Sequence, residues 1–369
     1  MKILLVITKG DVGGAQNVVL NLAKEFKKHG HDVNVAVGPG QYLRQQLDGC
    51  RVPHMDLGSL ERTSNPLKII SFIYEIKRLQ DKFAFDVIHF HSSNALAGGM
   101  GAKLSRNRAV TAFTFHGLSV LDKNYGSRLK KSFYAQYFKF FLKFIDRDIV
   151  ICRADRDQLT ADRIIKGGEI IHNGLAAETL SYLERNEART LLSQMLDLPE
   201  IGQKYLIGSI GRLAYQKNYE FLIDIFPEVL KMRPDAAAII IGSGPEKEKY
   251  SELVTRLNLS KHIHILEGVD NASVYVKAFD LFVLPSRYEG LSISLMEAMF
   301  AGVNILASKV GGNEELVGPS HLYDLGNAAE FLEKIAALET QVPAAYAKDD
   351  FTAERMGSKH LEYYQNGKN

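Results

Sequence analysis

A chain of 369 residues, 46% apolar and 24% charged, exceeds one comfortable hydrophobic core and predicts two folded domains rather than long disorder. A formal charge of +2 is too mild for a nucleic-acid partner. Two distant cysteines, Cys50 and Cys152, exclude a disulfide framework or zinc cluster and fit a reducing, cytoplasmic compartment.

The opening MKILLVITKG lacks the long apolar core and cleavage site of a signal peptide. It reads as a buried first strand, KILLVI from Lys2. The glycine-rich segment Gly10-Asp11-Val12-Gly13-Gly14-Ala15-Gln16 follows and opens a helix whose Val18, Val19, Leu22 and Phe26 form one apolar stripe, with Gly30 where a C-cap ends it. Glycines there let backbone N–H groups approach a phosphate, and the helix start adds partial positive charge. The spacing is not G-x-G-x-x-G, which disfavours a dehydrogenase, and a glycine turn without a ligand is the plain alternative. VNVAV from Val33, DVIHFH from Asp86, VTAFTFHG from Val110, DIVICR from Asp148 and EIIHNG from Glu169 continue as parallel strands buried on both faces.

Within this half, Arg128 to Arg147 mixes Lys130, Lys131, Lys139 and Lys143 with Phe133, Tyr134, Tyr137, Phe138, Phe140, Phe141 and Phe144. On a helix this is a basic stripe beside an aromatic face, which suits either peripheral membrane contact or packing on the first sheet. No apolar stretch reaches the roughly 18 residues of a spanning helix. The D-x-D triplets Asp146-Arg147-Asp148 and Asp155-Arg156-Asp157 flank a predicted strand and read as charged strand ends rather than a metal site. No metal ligand is expected. A junction just after His172-Asn173-Gly174 divides the chain into 1–177, 178–345 and a last helix in 346–369 that packs back towards the first domain.

The second half repeats the pattern with YLIGSIGR from Tyr205, AAAIIIGSG from Ala236, IHILEGV from Ile263, LFVLP from Leu281, VNILAS from Val303 and HLYDLG from His321. Two doubly wound α/β domains facing a cleft follow, with ligands beyond the carboxyl ends of the strands. Arg212 closes the first of these strands and Lys217-Asn218 opens the next helix, a pair suited to a pyrophosphate, or else a solvated surface pair. Gly242-Ser243-Gly244-Pro245 is a close-approach turn suited to a base or ribose. In Pro285 to Glu297, Glu289 sits in a loop and Glu297 just inside a helix, both able to accept sugar hydroxyls, while the amides near Leu291 and Ser292 suit a phosphate. Ser294-x-x-Glu297 also matches a capping box, and Gly311-Gly312-Asn313-Glu314-Glu315 a capped helix start.

In GGAQ, FHG at Phe115, HNG at His172, GRLAYQKN at Gly211, IIIGSGP at Ile239, LPSRYEGLSISLMEAMFAG at Leu284 and VGGNEEL at Val310, the chain resembles glycosyltransferase family 4, the retaining enzymes of GT-B fold. The resemblance implies that the amides of Gly13 and Gly14 face donor phosphates and that Arg212 and Lys217 neutralise the diphosphate. It implies further that Glu289 holds donor-sugar hydroxyls, Glu297 the ribose, His116 the transferred sugar and Gln16 the acceptor. Gly242, Ser243, Val269, Gly290, Leu291 and Ser292 complete the donor side. The pattern departs at Asn173-Gly174-Leu175, where an aspartate often follows the glycine, and at Cys152, where serine is usual; Pro227 predicts a kink in its helix.

The function implied is metal-independent, same-face transfer of a sugar from a UDP- or GDP-type donor to a glycan, lipid-linked or small-molecule acceptor, in cell-envelope polysaccharide synthesis, with no cofactor. A sugar-nucleotide epimerase is the rival enzyme and a non-catalytic nucleotide-sugar-binding module the third class. The paired glutamates speak for transfer.

Overall fold

A computed structural model describes residues 1–118, 121, 128–339 and 346–366. The Arg128 side chain, the stretch 340–345 that ends the expected second domain, and the tail from 367 lie outside the described residues. The contacts form two compact units, Met1–Ala176 with Asp349–Asn369, and Ala177–Lys348.

The first unit is built on β1 (Lys2–Ile7), β2 (Asp32–Val37), β3 (His54–Asp56), β4 (Val87–His91), β5 (Val110–Phe115), β6 (Arg147–Val150) and β7 (Glu169–Ile170). They form one sheet in the order β3-β2-β1-β4-β5-β6-β7, parallel throughout. Six of these match the apolar runs; β3, three residues reading His-Met-Asp at the sheet edge, carries no apolar run and is legible only through its pairing with β2. β4 shows why the strands fold as they do. Ile88 and Phe90 enter the apolar cluster with Phe72, Ile76, Phe113 and Phe115, while His89 and His91 point to the opposite face.

That opposite face is covered by the helices Gly14–Lys28 and Ala353–Gln365. Phe26 meets the rings of His360 and Tyr364 at 6.5 and 5.9 Å. The helix that begins at Gly14 buries Val18, Val19, Leu22 and Phe26, and its stop at His29 is followed by Gly30 at φ 79°. The Asn173-Gly174-Leu175 turn receives the returning chain. Leu175 pairs with Thr352, and a Cβ on Gly174 would lie 2.1 Å from the Thr352 carbonyl oxygen, so this glycine is required by a close chain approach.

The second unit contains β8 (Tyr205–Ile210), β9 (Ala236–Ile241), β10 (Ile263–Leu266), β11 (Leu281–Leu284), β12 (Asn304–Ser308) and β13 (Leu322–Tyr323), ordered β10-β9-β8-β11-β12-β13 and again parallel. β9, Ala-Ala-Ala-Ile-Ile-Ile, is buried along its whole length, as a strand with helices on both faces must be. The helix Tyr219–Met232 continues through Pro227. In each sheet the strand order reverses once, between β1 and β4 and between β8 and β11, and ligands of such sheets sit beyond the carboxyl ends at that reversal.

Candidate functional site

In the second unit, the loops leaving β8 and β11 meet at the reversal. Lys217 Nζ lies 2.7 Å from Glu289 Oε1, and the two side chains are 13% and 7% exposed. Ser286 Oγ donates to the same oxygen at 2.7 Å, and Gln216 Nε2 donates to Oε2 at 3.2 Å and to the Tyr288 carbonyl at 3.0 Å. Oε1 is thereby filled by two donors, whereas Oε2 accepts one and keeps a lone pair for a ligand hydroxyl. The frame behind the carboxylate is stiff. Arg287 donates its backbone N–H to Gln216 at 2.8 Å, stacks its guanidinium 4.1 Å over Tyr215 and pairs with Glu220. Asn218, at φ 55°, donates to the Pro285 carbonyl at 3.0 Å and starts the next helix.

Arg212 is exposed and has no hydrogen-bond or ion-pair partner among the described residues, so its guanidinium is available to an anion. The turn after β9 closes on this loop, with the Leu213 N–H donating to the Ser243 carbonyl at 2.9 Å beside Gly242. The Gly312 N–H donates to the Gly290 carbonyl at 2.7 Å. Gly311, at φ 53°, would place a Cβ 1.9 Å from the Glu289 carbonyl oxygen, so that turn tolerates only glycine. Leu291 and Ser292 are buried at the start of the helix Ile293–Ala301.

The helix start corrects one reading of the sequence. Ser292, not Ser294, is the N-cap, accepting from the Leu295 N–H at 3.4 Å, so Glu297 is not the glutamate of a capping box. Glu297 is half-buried; burial pushes its carboxyl up to about 7, against the opposing pull of the Ser273 hydroxyl and the Lys217 charge. Val269 lies three residues past β10, the edge strand of this sheet, and not on the β8 or β11 loops that carry the Glu289 group.

In the first unit, Gly13 is the N-cap and Gly14 the first residue of their helix, leaving its early N–H groups free of helical partners. Gln16 is held by a 3.0 Å bond from Nε2 to the Lys9 carbonyl. His116, one residue past β5, bonds through Nε2 to His91 Nδ1 at 2.8 Å. Burial, with the nearby His360 ring, drives its basicity down to about 3. Gln16 and His116 line one cavity of about 250 Å³ at the ends of β1, β4 and β5, together with Lys9, Arg62, Asn94 and Tyr134. Cavities of about 520 Å³ beside Arg189 and about 620 Å³ beside Arg156 contain none of the expected site residues.

Sequence reasoning missed Gln216, Ser286 and Arg287. All three lie inside quoted motifs, but only the folded turn shows which of them reach Glu289 or brace its loop. The D-x-D triplets lie elsewhere: Asp146 precedes β6, bonded to Lys103 and Thr111, and Asp155 and Asp157 belong to the helix Arg153–Ala161. The expected surface segment is narrower than Arg128 to Arg147. Phe138 and Phe141 are buried in the first unit's core, with Tyr134, Tyr137 and Phe144 packed against it. Arg147 is buried with its Nε on the Tyr363 carbonyl at 2.9 Å. Leu129, Phe133 and Phe140 remain 84%, 58% and 49% exposed. No helix among the described residues is long and apolar enough to cross a membrane.

Comparison with known proteins matches residues 12–179 to the profile "Glycosyltransferase Family 4" and residues 195–348 to "Glycosyl transferases group 1". The chain is 25% identical over 313 residues to the UDP-Gal:alpha-D-GlcNAc-diphosphoundecaprenol alpha-1,3-galactosyltransferase of Escherichia coli, covering 83% of this chain and 79% of the relative. It is 27% identical over 342 residues to the phosphatidyl-myo-inositol mannosyltransferase of Mycobacterium leprae, covering 88% and 83%. The crystal structure of Anabaena Alr3699/HepE in complex with UDP-glucose superposes with a TM-score of 0.80 at 20% identity, over 98% of both chains. The epimerase alternative is not favoured, since the matched profiles and these two relatives are transferases. With two Rossmann-like parallel sheets and both halves matched in order, the chain belongs to the GT-B glycosyltransferases of family 4 type.

Proposed function

We propose that the chain moves a sugar from a UDP- or GDP-linked donor to a glycan or lipid-linked acceptor, with retention of anomeric configuration and without a divalent metal. The observation that carries this reading is the Lys217–Glu289 contact at the strand-order reversal, with Arg212 on the same β8 loop unpaired among the described residues. Arg212 and Lys217 hold the diphosphate and supply the positive charge that its departure requires. Glu289 accepts donor-sugar hydroxyls through its open oxygen and Glu297 the ribose hydroxyls. The helix start at Gly13 and Gly14 offers further amides to an anion.

The sugar C1–O bond to the leaving phosphate breaks while the acceptor oxygen bonds C1 on the same face. The acceptor proton passes to the departing phosphate, leaving a nucleoside diphosphate and a glycoside. Preorganised donors of this kind are each worth on the order of 3 kcal/mol of barrier. Glu289 is already held by Lys217, Ser286 and Gln216, which suits a hydroxyl acceptor better than a nucleophile.

The cavity beside Gln16 and His116 takes the acceptor. Among the described residues its lining includes the cations Lys9, which also pairs with Asp11 at 3.3 Å, and Arg62, and no carboxylate, which favours an anionic acceptor such as a phosphate-linked lipid. The acceptor classes in the names of the E. coli and M. leprae relatives agree with that choice. Exposed Leu129, Phe133 and Phe140, near Lys130 and Lys143, then rest peripherally on an anionic membrane face.

A thermal-shift screen of nucleotide diphosphate sugars, with and without chelator, tests the proposal, because the true donor raises the melting temperature by mass action. Silence of every nucleotide sugar removes the reading. Activity lost to chelator and restored by manganese removes the metal-free part, and an inverted product anomer removes retention.

A further inference from the structure

Four histidines of the first unit, His89, His91, His116 and His360, form one cluster. On β4, His89 and His91 share the face opposite the apolar core. Each reaches diagonally to β5 or just past it: His89 Nε2 to Thr114 Oγ1 at 2.8 Å, and His91 Nδ1 to His116 Nε2 at 2.8 Å. The rings follow one another, His116 stacked on His91 at 5.1 Å, His91 tilted against His89 at 4.0 Å and His89 tilted against His360 at 5.5 Å. The far end is fixed by the last helix, whose Tyr364 hydroxyl lies 2.7 Å from His89 Nδ1. His360 Nδ1 is 2.8 Å from the Met356 carbonyl, which can only accept, so that nitrogen carries its proton.

We infer that His91 is a positioning residue for His116, fixing its ring and its neutral Nδ1–H tautomer, and that Tyr364 anchors the column from the chain's last helix. The argument is a proton count. One hydrogen is shared between His91 Nδ1 and His116 Nε2, and His116 Nδ1 and His91 Nε2 are buried without partners among the described residues. If His116 were the donor, the unused N–H would fall on His91 Nε2, in a residue with no solvent exposure. If His91 is the donor, the unused N–H falls on His116, whose ring lines the cavity, and His91 keeps only an unused lone pair. Either arrangement leaves one buried N–H without a protein partner among the described residues, but only the second puts it on the ring that lines the cavity, where a bound ligand can accept it, so the second arrangement is favoured. Burial and mutual repulsion hold His89 and His91 well below the ordinary histidine range, which keeps the column uncharged. His116 then serves the cavity as a neutral hydrogen-bond donor and not as a base.

This inference rests on the transferase reading for its kinetic consequence but not for its spectroscopic one. Nitrogen–proton correlation spectra of the imidazoles in the full-length protein, with the His116 signal identified by His116→Gln, are expected to show the Nδ1–H tautomer at pH 7. In His91→Leu that signal changes tautomer or averages between the two. With nucleotide-sugar donor, His91→Leu is expected to lower kcat roughly 10- to 100-fold while donor KM stays within about twofold, as loss of alignment does. His91→Gln, which keeps an amide donor, recovers part of the loss, and Tyr364→Phe costs less than His91→Leu. An Nε2–H tautomer in the unsubstituted protein overturns the inference, as does full kcat in a folded His91→Leu. If no nucleotide sugar turns over, the transferase proposal fails alone and the spectra still decide the column.

Discussion

The two units share one sheet design and one reversal of strand order, yet they meet burial in opposite ways. At the end of β8 and β11 the second unit places opposite charges together, Lys217 against Glu289, with Arg212 left open to solvent. At the end of β4 and β5 the first unit buries imidazoles with no carboxylate partner among the described residues and strips their charge. Desolvation is the same cost in both places. Under the proposed function, a compensated pair keeps a strong field for a diphosphate, whereas uncharged rings offer directional hydrogen bonds without adding charge.

The sharpest way to break the comparison is pH. A histidine whose folded basicity is depressed favours the neutral form in the folded state, so stability is full above the unfolded value near 6.5 and falls as pH drops below it. For His116 and His360, lowered to about 3 and about 4, that costs about 2 kcal/mol each between pH 6.5 and 5. His89 and His91 are depressed as well, so the first unit should lose stability over that span. Glu297 has the opposite sign: its raised carboxyl favours the protonated fold, so its contribution is greatest below about 4.5 and declines as pH rises to about 7. Amide exchange at pH 5 and 7.5 should show β4 loosening at low pH while β11 does not. Parallel loosening of both strands would erase the distinction.

Next in size is the charged pair. Lys217→Ala leaves Glu289 buried without its cation, and is expected to cost about 3 kcal/mol of stability and at least 100-fold in turnover. Lys217→Arg tests whether charge alone suffices. Arg212→Ala separates ligand binding from folding, because an exposed arginine without a protein partner contributes little to the fold. Its expected signature is nucleoside diphosphate affinity weakened by about 2 kcal/mol with an unchanged melting temperature. A lower melting temperature in the absence of nucleotide would show that Arg212 is structural.

Most of the fold is legible in the sequence because buried parallel strands lie in short apolar, often β-branched runs, and twelve of the thirteen strands among the described residues announce themselves that way. The exception, His54–Asp56, is a half-exposed edge strand of three residues, two of them polar, and so forms no apolar run. Lys217 and Glu289 are visible as motif residues. That they touch depends on Gln216 and Arg287 bracing one turn against another, and turn geometry leaves no periodic trace. The histidine column is harder still. His89 and His91 look like strand residues in DVIHFH, and their partners Tyr364 and His360 lie some 270 residues away along the chain, a distance of |i−j|=275 for the His89–Tyr364 bond.

The smallest effect belongs to the exposed stripe of Leu129, Phe133 and Phe140, which lies on the first unit alone. Of the aromatic residues singled out in this segment, Phe138 and Phe141 are buried in the core and the others, save exposed Phe133 and Phe140, pack partly against it. Phe133→Ser with Phe140→Ser therefore removes little buried surface, and stability should change by less than about 0.5 kcal/mol. Turnover of a soluble acceptor analogue should be unchanged. Co-sedimentation with anionic vesicles should weaken, and Lys130→Glu with Lys143→Glu should weaken it further by about 1 kcal/mol per charge near the surface. Binding that ignores both pairs of substitutions would place any membrane contact on another face, leaving the comparison of the two sheet edges intact.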